Sequence, residues 1–400
     1  MTATETLNKE AEELKEQVIS WRRYLHQNPE LSFREEKTAQ FVYETLVSFG
    51  NLAVSRPTEK SVMARLIGSE PGTVLAMRAD MDALPIMEEN TFDFVSKNPG
   101  VMHACGHDGH TAMLLGAAKL LSSKKDQIKG EVRFLFQHAE EVVPGGAEEM
   151  VQAGVMDGVD MVIGTHLWST MEFGTVGICS GPMMAATDTF WLTVIGKGGH
   201  AALPHETIDS IAIAALVVTS LQHIVSRNAD PLDNLVLSVT QFIGGTTHNV
   251  IPDAVEICGT VRSFDKDLRA AVPGLMERVI KGITEAHGAS YEFKYEFGNY
   301  PVINDPEVTK LIEEVVVETL GQEWVEHMRP IMGGEDFSAF QQKAPGCFFF
   351  VPAGNKEKGI TYPHHHPRFT VDEDALEVGV KMFVNAARKI VMENKENCER

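Results

Sequence analysis

The sequence predicts an α/β protein whose main domain has a mostly parallel sheet and is interrupted by a ferredoxin-like α+β insert. Early in the chain, short apolar runs of strand length alternate with amphipathic helices, which is typical of a parallel sheet covered by helices. From about Met184 the order of predicted elements becomes β-α-β-β-α-β, and after Asn304 the α/β alternation returns. A chain of 400 residues is also long enough for two domains. We therefore expect a main domain formed by residues 1–183 and 299–400, with an insert formed by residues 184–298.

Hydrophobic periodicity and turn residues place the elements in the first part of the main domain. Apolar residues on one face predict a charged amphipathic helix near the N-terminus that ends before Pro29, and a second helix ends at Gly50. Short apolar runs between the later helices predict buried strands. The predicted helices are 5–25, 35–49, 111–121 and 146–153, and the predicted strands are 73–77, 131–137 and 161–164.

The insert and the last part of the main domain follow the same reasoning. Alternating side chains in two segments of the insert are typical of strands with one buried face. The strands of the insert are expected at 190–195, 235–243, 255–263 and 291–297, and its helices at 207–226 and 266–287. Beyond the insert, we expect helices at 307–320 and 372–392 and an apolar strand at 347–351.

The composition limits the partners and the compartment. A net charge of −21 argues against nucleic acid and anionic membranes, because both need basic surface. The five cysteines are few and scattered, which fits a reducing compartment rather than a disulfide framework. We find neither a secretory signal nor an apolar run near the roughly 20 residues of a membrane span. The sequence therefore predicts a cytoplasmic protein that binds neither nucleic acid nor membrane.

Segment 102–110 (MHACGHDGH) concentrates side chains that bind metals. It contains three histidines, one cysteine and one aspartate within a few positions. Cys105 and His107 are two positions apart, so in an extended backbone their side chains point to the same side. A small buried cysteine beside a surface histidine is the alternative for this pair alone. Whether Cys105 and His107 bind a metal depends on which other metal-binding side chains lie close to them.

Acidic and imidazole side chains follow three of the predicted strands. Asp80 and Asp82 follow the first strand, Glu140 and Glu141 the second, and His166 the third. In doubly wound sheets, sites form at the carboxyl ends of the strands. Imidazole, thiolate and carboxylate groups together suit a divalent metal such as zinc. With the cysteine–histidine pair, these strand ends predict a metal site.

Glu140 and Glu141 are adjacent, and in an extended chain their side chains face opposite ways. One could bind the metal while the other takes a proton from the attacking water, as hydrolysis at a metal requires. Adjacent exposed acids are the alternative, but the apolar strand before them favours a buried strand end. The residues alone do not assign the two roles.

Further candidates lie later in the chain. A run of three histidines at 364–366 follows an apolar strand and could close a metal site, although a surface run is the alternative. In the insert, His200 follows a glycine-rich stretch that could equally be a plain turn. Asn249 and Arg262 lie nearby in sequence, and a guanidinium can bind a substrate carboxylate through two hydrogen bonds. The weaker candidates for metal ligation are His103, His110 and His138.

Ordered motifs along nearly the whole chain resemble the metal-dependent aminoacylase, hippuricase and indoleacetyl-amino-acid hydrolase group. This group is related to the zinc carboxypeptidases and to peptidases with a dimerisation insert. The motifs that carry the resemblance are 25–32 (LHQNPELS), 78–85 (RADMDALP), 103–108 (HACGHD), 137–141 (QHAEE), 164–166 (GTH), 198–201 (GGHA), 248–252 (HNVIP), 333–337 (GGEDF) and 365–367 (HHP).

The resemblance implies roles for these residues and a set of partners. It implies one or two divalent ions per subunit, zinc first, with cobalt, manganese or nickel as alternatives. The insert would be a dimerisation or lid domain of a homodimer, or of a dimer of dimers. Many relatives have a histidine ligand at the position of Asp80, so a role of Asp80 at the metal stays open. The implied metal ligands are Cys105, His107, Glu141, His166 and His365, the implied general base is Glu140, and the implied substrate-binding residues are His200, Asn249 and Arg262.

These roles predict hydrolysis of the amide bond of N-acyl-L-amino acids, which are small-molecule substrates. Glu140 would take a proton from a water activated at the metal and return it to the leaving amine. A dipeptidase or carboxypeptidase of the same family is the first alternative, because its substrates also present an amide and a carboxylate. A catalytically silent metal-binding or scaffold protein is the second.

Overall fold

The computed structural model describes residues 2–393. Cys398, one of the five cysteines counted above, lies outside the described residues. The helices are α1 (Ala3–Gln27), α2 (Glu36–Phe49), α3 (His107–Ser122), α4 (Gly146–Gln152), α5 (Ser210–His223), α6 (Lys266–Ala286), α7 (Pro306–Thr319), α8 (Ser338–Gln341) and α9 (Asp374–Ala387). The strands are β1 (Ala53–Ser55), β2 (Val62–Ile67), β3 (Glu70–Asp80), β4 (Lys129–Gln137), β5 (Met161–Glu172), β6 (Val176–Ile178), β7 (Gly181–Met184), β8 (Ala186–Ile195), β9 (Gly199–His200), β10 (Leu235–Ile243), β11 (Val250–Ile251), β12 (Ala254–Ser263), β13 (Ser290–Phe297), β14 (Val302–Asn304), β15 (Val325–His327) and β16 (Gly346–Gly354).

The described chain divides into two compact units. The first unit contains residues up to 183, residues 302–329 and residues from 336 onward, and the second contains 184–301 and 330–335. The backbone of the short segment 330–335 in the second unit pairs with the residues just before β8. The amide of Ala185 donates a hydrogen bond to the carbonyl of Gly333 over 2.9 Å.

The first unit is built on a mixed, mostly parallel sheet. Its strand order is β1-β2-β4-β3-β5-β16-β6-β15. The central pairs β4–β3, β3–β5 and β5–β16 are parallel, whereas β1, β2 and β4 pair in antiparallel fashion. The predicted α/β class with a mostly parallel sheet is therefore confirmed. β2, which the sequence analysis did not predict, adds an antiparallel neighbour to β4.

Helices α1, α3 and α9 pack together beside this sheet. They share one apolar core with the sheet, which includes Val18, Leu114 and Phe383 at 1% exposure or less. Every residue of β16 is buried, as expected for a central parallel strand with both faces covered. Packing in this core fixes the positions of the strand ends that carry the predicted site residues.

Two element boundaries differ from the prediction in a way that matters for the site. β5 continues from Met161 to Glu172 instead of ending at residue 164, because its polar residues pair with β16. α3 begins at His107 instead of residue 111, since Gly106 adopts a left-handed backbone with φ of 98° that turns the chain into the helix. Cys105 and His107 are therefore not neighbours on an extended strand.

The second unit has the element order β-α-β-β-α-β along β8, α5, β10, β12, α6 and β13. Its antiparallel sheet has the strand order β10-β12-β8-β13. Helices α5 and α6 share a core with this sheet, which includes Val217, Leu221, Met276 and Phe190 at 0% exposure.

One segment is long and apolar enough to cross a membrane by length and composition, and the sequence analysis overlooked it. This segment, Ser210–Asn228, consists of α5 and the π-helical turn that follows. One face of it, including Ile213 and Ile224, packs in the core of the second unit. An apolar helix that covers a sheet in this way meets the same compositional criterion as a membrane span.

Candidate metal centre

The candidate metal centre lies in the first unit, where several chain segments meet. Cys105 lies in the loop before α3, and His107 is the first residue of that helix. Glu140 and Glu141 follow β4. His166 lies inside β5, and His365 lies in the loop between β16 and α9.

Short distances link the predicted ligand atoms. Cys105 Sγ lies 3.5 Å from His166 Nε2. His107 Nε2 lies 3.8 Å from Glu141 Oε1, and His365 Nε2 lies 3.4 Å from Glu141 Oε2. The ligand atoms of Cys105, His107 and Glu141 all lie within 4.8 Å of one another. The structure thus brings all five predicted ligand positions into one cluster.

The hydrogen bonds of His107 direct one ring nitrogen into this cluster. Its Nδ1 lies 3.0 Å from the carbonyl oxygen and 3.1 Å from the Oδ1 of Asp82, and both of these atoms can only accept. Nδ1 therefore carries a proton, and in the neutral ring Nε2 has the lone pair. Among the described residues, neither His107 Nε2 nor Glu141 Oε1 has a hydrogen-bond partner, although both are buried. A buried lone pair beside a buried carboxylate oxygen, both unpaired, fits a bound cation.

The charges around His107 also favour a cation. Burial acts to lower the pKa of His107, but the carboxylates of Asp80 and Asp82 outweigh it and raise this pKa to about 10. The carboxylates that stabilise a proton on this ring would equally stabilise a metal ion.

His166 presents its lone pair to Cys105. Its Nδ1 lies 2.7 Å from the carbonyl oxygen of Leu167 and must donate to it, so Nε2 faces the sulfur without a proton. Burial, together with the neighbouring His110, holds the pKa of His166 well below its usual range. Burial and the carboxylates of Glu141 and Glu140 raise the pKa of the Cys105 thiol. Neutral imidazole is the form that binds a metal, and a nearby cation would favour the thiolate.

Comparison with known proteins identifies the family of this chain. A family model described as Peptidase family M20/M25/M40 matches residues 76–389. The chain is 71% identical over 300 residues to an N-acyl-L-amino acid amidohydrolase of Geobacillus stearothermophilus, which covers 75% of this chain and 81% of that relative. It is 43% identical over 400 residues to thermostable carboxypeptidase 2 of Saccharolobus solfataricus, over 99% of this chain and 100% of that relative. A solved structure, a dinuclear metal binding peptidase of family M20 from Bacillus subtilis, matches with a TM-score of 0.82 and 38% identity over 94% of this chain and 98% of the other. The chain belongs to peptidase family M20/M25/M40.

This membership confirms the resemblance inferred from the motifs, and it shows that the protein is a hydrolase of amide or peptide bonds. It also agrees with the use of a divalent metal, since the M20 neighbour from Bacillus subtilis is described as metal-binding.

In this M20 chain, Asp80 and His110 hold each other in place. His110 Nδ1 lies 2.6 Å from Asp80 Oδ1, and His110 Nε2 accepts a hydrogen bond from the amide of Leu167 over 2.8 Å. Asp80 Oδ2 accepts a hydrogen bond from Arg78 Nη1 over 2.8 Å. Both nitrogens of the ring and both oxygens of the carboxylate are therefore engaged. This pattern favours a supporting role for Asp80 over metal ligation.

Asp82 is the positioning residue that sequence reasoning noticed only as an acid at a strand end. Its Oδ1 faces His107 Nδ1, and its Oδ2 accepts hydrogen bonds from the amide of Glu141 over 3.0 Å and from the hydroxyl of Ser32 over 2.7 Å. Burial opposes ionisation of Asp82, but the hydrogen bond and charge of His107, together with the hydrogen bonds from Ser32 and the amide of Glu141, lower the pKa of the carboxyl. One carboxylate thus orients two predicted ligands of the M20 centre.

Of the weaker histidine candidates, His110 lies in a possible metal-binding group with Asp80 and His107, whereas no such group in the described chain contains His103 or His138. Burial lowers the pKa of His103 to about 4, and neither of its ring nitrogens has a hydrogen-bond partner among the described residues. His138 Nε2 lies 3.0 Å from Glu149. In the histidine run, His366 stacks on Tyr362 with ring centroids 4.4 Å apart. His364, which the sequence analysis did not separate from its neighbours, lies beside Cys105.

The predicted substrate-binding residues of the M20 chain all lie in the second unit. His200 in β9 is opposite Val250 in β11, and the amide of Ala201 donates to the carbonyl of Asn249 over 3.1 Å. His200 and Asn249 are therefore neighbours, and both are exposed. Arg262 lies on β12, and its partial burial lowers the pKa of its guanidinium.

Proposed function

We propose that this protein is a metal-dependent amidohydrolase that cleaves N-acyl-L-amino acids into an acid and a free amino acid. The observation that carries the proposal is the pair of buried, unpaired atoms, His107 Nε2 and Glu141 Oε1, beside Cys105 and His166. The relative from Geobacillus stearothermophilus, an N-acyl-L-amino acid amidohydrolase at 71% identity, supports the substrate class.

The donor set fits a divalent metal ion. One thiolate, one carboxylate and three imidazoles suit zinc, and cobalt, manganese or nickel are also compatible with such nitrogen-rich sites. We propose one or two ions per subunit, and metal analysis of the loaded protein gives the number. When bound, the metal would supply Lewis acidity that polarises the scissile carbonyl and makes water more acidic. We propose as ligands Cys105, His107, Glu141, His166 and His365.

Glu140 is proposed as the general base. Its Oε2 lies 4.0 Å from His107 Nε2, and its side chain is only 11% exposed. A carboxylate shielded in this way can accept a proton from the attacking water at its Oε2. It can then deliver that proton to the nitrogen of the leaving amine.

The second unit is proposed to bind the substrate and to form the dimer contact. Arg262 would pair with the carboxylate of the amino acid through two hydrogen bonds, and His200 and Asn249 would orient the scissile amide. We propose that the protein acts as a homodimer, or as a dimer of dimers, in the cytoplasm. The second unit would then serve as its dimerisation or lid domain.

A substrate panel with controlled metal content tests this function. Protein stripped with a chelator is assayed on N-acetyl and N-benzoyl amino acids and on dipeptides, before and after addition of Zn²⁺, Co²⁺, Mn²⁺ or Ni²⁺. We expect activity on N-acyl amino acids that metal restores. Faster cleavage of dipeptides would support the carboxypeptidase or dipeptidase alternative. Metal binding without hydrolysis of any substrate would support a silent scaffold.

Glu140→Gln tests the proposed base. This variant keeps the shape of the side chain but cannot accept the proton, so kcat should fall about 10²–10⁴-fold. Glu148→Gln, at an exposed position of α4, is the matched control and should retain activity. Near-normal kcat of the Glu140 variant with its full metal content would remove Glu140 from this role.

A further inference from the structure

We propose that His364 is a positioning residue that donates a hydrogen bond from its Nδ1 to the sulfur of Cys105. It would thereby adjust the strength of that thiolate as a ligand. The proposal rests on the metal-dependent function proposed above, because it concerns a residue beside one of the proposed ligands. It also divides the run of three histidines into three different roles.

Hydrogen bonding fixes the tautomer of His364. Its Nε2 lies 3.2 Å from the backbone amide of Ser169. A backbone N–H can only donate, so Nε2 must hold a lone pair, and the proton of the neutral ring lies on Nδ1. That Nδ1 lies 3.8 Å from Cys105 Sγ, within the reach of an N–H···S hydrogen bond. With both nitrogens engaged, the ring has no lone pair left for a metal.

Aromatic packing holds the ring of His364 in this orientation. Its centroid lies 4.7 Å from that of Trp168 and 5.0 Å from that of Phe369, and Phe369 is fully buried. Trp168 in turn stacks on Phe350 at 4.2 Å with an angle of 8° between the rings. A ring packed on two sides keeps its N–H directed at the sulfur without further loss of side-chain entropy.

The two histidines that face Cys105 therefore have opposite roles. His166 directs a lone pair toward the sulfur from 3.5 Å, as a fellow ligand would, whereas His364 directs a proton. A hydrogen bond to a thiolate withdraws electron density from the sulfur, so it weakens the donation to a metal and fixes the position of Sγ. The next residue, His365, lies instead 3.4 Å from Glu141.

Two substitutions separate the two hydrogen bonds of the ring. In His364→Gln, the side-chain oxygen can take the place of Nε2 and accept from Ser169, but no donor reaches the sulfur. In His364→Asn, the side-chain amide can take the place of Nδ1 and donate to Cys105, but the contact with Ser169 is lost. His366→Gln is the matched control, because His366 packs on Tyr362.

The test uses Co²⁺ as the probe in full-length protein stripped of metal. In the wild type we expect a sulfur-to-cobalt charge-transfer band. In His364→Gln this band should move to longer wavelength, because the sulfur lone pair rises in energy, and the affinity for Co²⁺ should change about 10-fold or more. His364→Asn and the His366 control should resemble the wild type in both measurements.

An unchanged band and affinity in His364→Gln would overturn the proposal, as would equal shifts in the Gln and Asn variants. Either result would leave the proposed function intact if hydrolysis still depended on metal. Absence of any charge-transfer band in the Co²⁺-loaded wild type would show that Cys105 is no ligand, and the proposal for His364 would fall with it. Absence of hydrolysis across the substrate panel would refute the proposed function alone.

Discussion

The role of each histidine near the centre depends on which ring nitrogen is already engaged. His107 and His166 each donate from Nδ1 to an oxygen, so Nε2 is available to a metal. His110 uses both nitrogens, and His364 accepts a hydrogen bond from a backbone amide at Nε2. These contacts separate two ligand candidates from two supporting residues, although all four rings lie within one small region.

Glu35 is expected to support catalysis through the backbone before Glu140. Its side chain is fully buried, and Oε1 accepts a hydrogen bond from the amide of Ala139 over 2.8 Å. Ala139 has a φ of 50°, a conformation that a residue other than glycine adopts only when its surroundings hold it. Glu35→Ala should lower kcat about 10–100-fold with a smaller change in KM.

Glu35→Gln is the matched control for that prediction. Burial and the nearby Asp82 raise the pKa of Glu35 to about 8, so the side chain is mostly protonated at neutral pH and glutamine is a close substitute. The amide oxygen can still accept from Ala139, and steady-state kinetics should show near-normal kcat. Equal losses in the two variants, or no loss in either, would contradict the role of Glu35.

Sequence reasoning reached the residues that carry the chemistry but not those that position them. Cys105 and His166 stood out because metal ligands are few in type and strand ends are where sites form. Asp82, Glu35 and His364 act through contacts between residues far apart in the chain, and no local pattern encodes such contacts. The choice among adjacent histidines likewise depends on tertiary hydrogen bonds.

At the scale of elements, hydrophobic periodicity predicted most of the helices and strands but not the limits that form the site. β5 was expected to end where its residues become polar, yet pairing with β16 extends it through His166. α3 begins four residues earlier than the apolar pattern indicated, because Gly106 turns the chain at that point. At both places, tertiary pairing or backbone geometry overrides the hydrophobic pattern near polar functional residues.

The start of α4 should not tolerate a side chain at Gly146. A Cβ there would overlap the carbonyl oxygen of His138, in the loop that leads to Glu140. Gly146→Ala should lower the free energy of unfolding by about 1–3 kcal/mol and reduce activity. Gly282→Ala in α6 is the control, since nothing lies within 4 Å of its Cβ, and it should raise stability by about 0.5–1 kcal/mol.

Denaturant unfolding and activity assays of both glycine variants would check this pair of predictions. Equal stability of Gly146→Ala and the wild type would show that the loop before α4 can move aside at no cost. A loss of stability in Gly282→Ala would contradict the view that α6 has open space at this position.

The antiparallel pair β2–β4 should depend on Glu131. Arg65 and Arg133 lie directly opposite each other in the register, and Glu131 accepts hydrogen bonds from both, over 2.6 and 2.7 Å. Burial opposes ionisation of Glu131, but the hydrogen bonds from Arg65 and Arg133 outweigh it and lower its pKa. Glu131→Gln should therefore destabilise the protein by about 1.5–3 kcal/mol at neutral pH.

The pH dependence of this effect has a definite sign. Because the folded-state pKa of Glu131 is lowered, its contribution is present above the unfolded value of about 4.3 and is lost as pH falls through the folded value. The difference between wild type and Glu131→Gln, measured by urea unfolding, should be largest near neutrality and shrink in acid. A constant difference across this range would exclude the ion pairs as its cause.

The molecule as a whole is acidic, and several carboxylates lie around the candidate metal centre. The net charge is −21, and Asp80, Asp82, Glu140 and Glu141 all lie in or beside the cluster around His107. Removing a bound cation from such a place leaves carboxylates uncompensated in a buried region, which costs stability. Metal content should therefore control the stability of the fold as well as its activity.

Chelator-stripped protein should unfold at a lower temperature than the Zn²⁺-loaded form. Metal that binds only the folded chain stabilises it by about 4 kcal/mol when its free concentration is about 1,000 times Kd. Because thiolate and neutral imidazole are the binding forms, protons compete with the metal, and the stabilisation should shrink between about pH 8 and about pH 6. Thermal unfolding at both pH values, with and without Zn²⁺, measures this, and Cys105→Ser should reduce the gain. A gain that is independent of pH and unchanged in Cys105→Ser would place the metal elsewhere in the molecule.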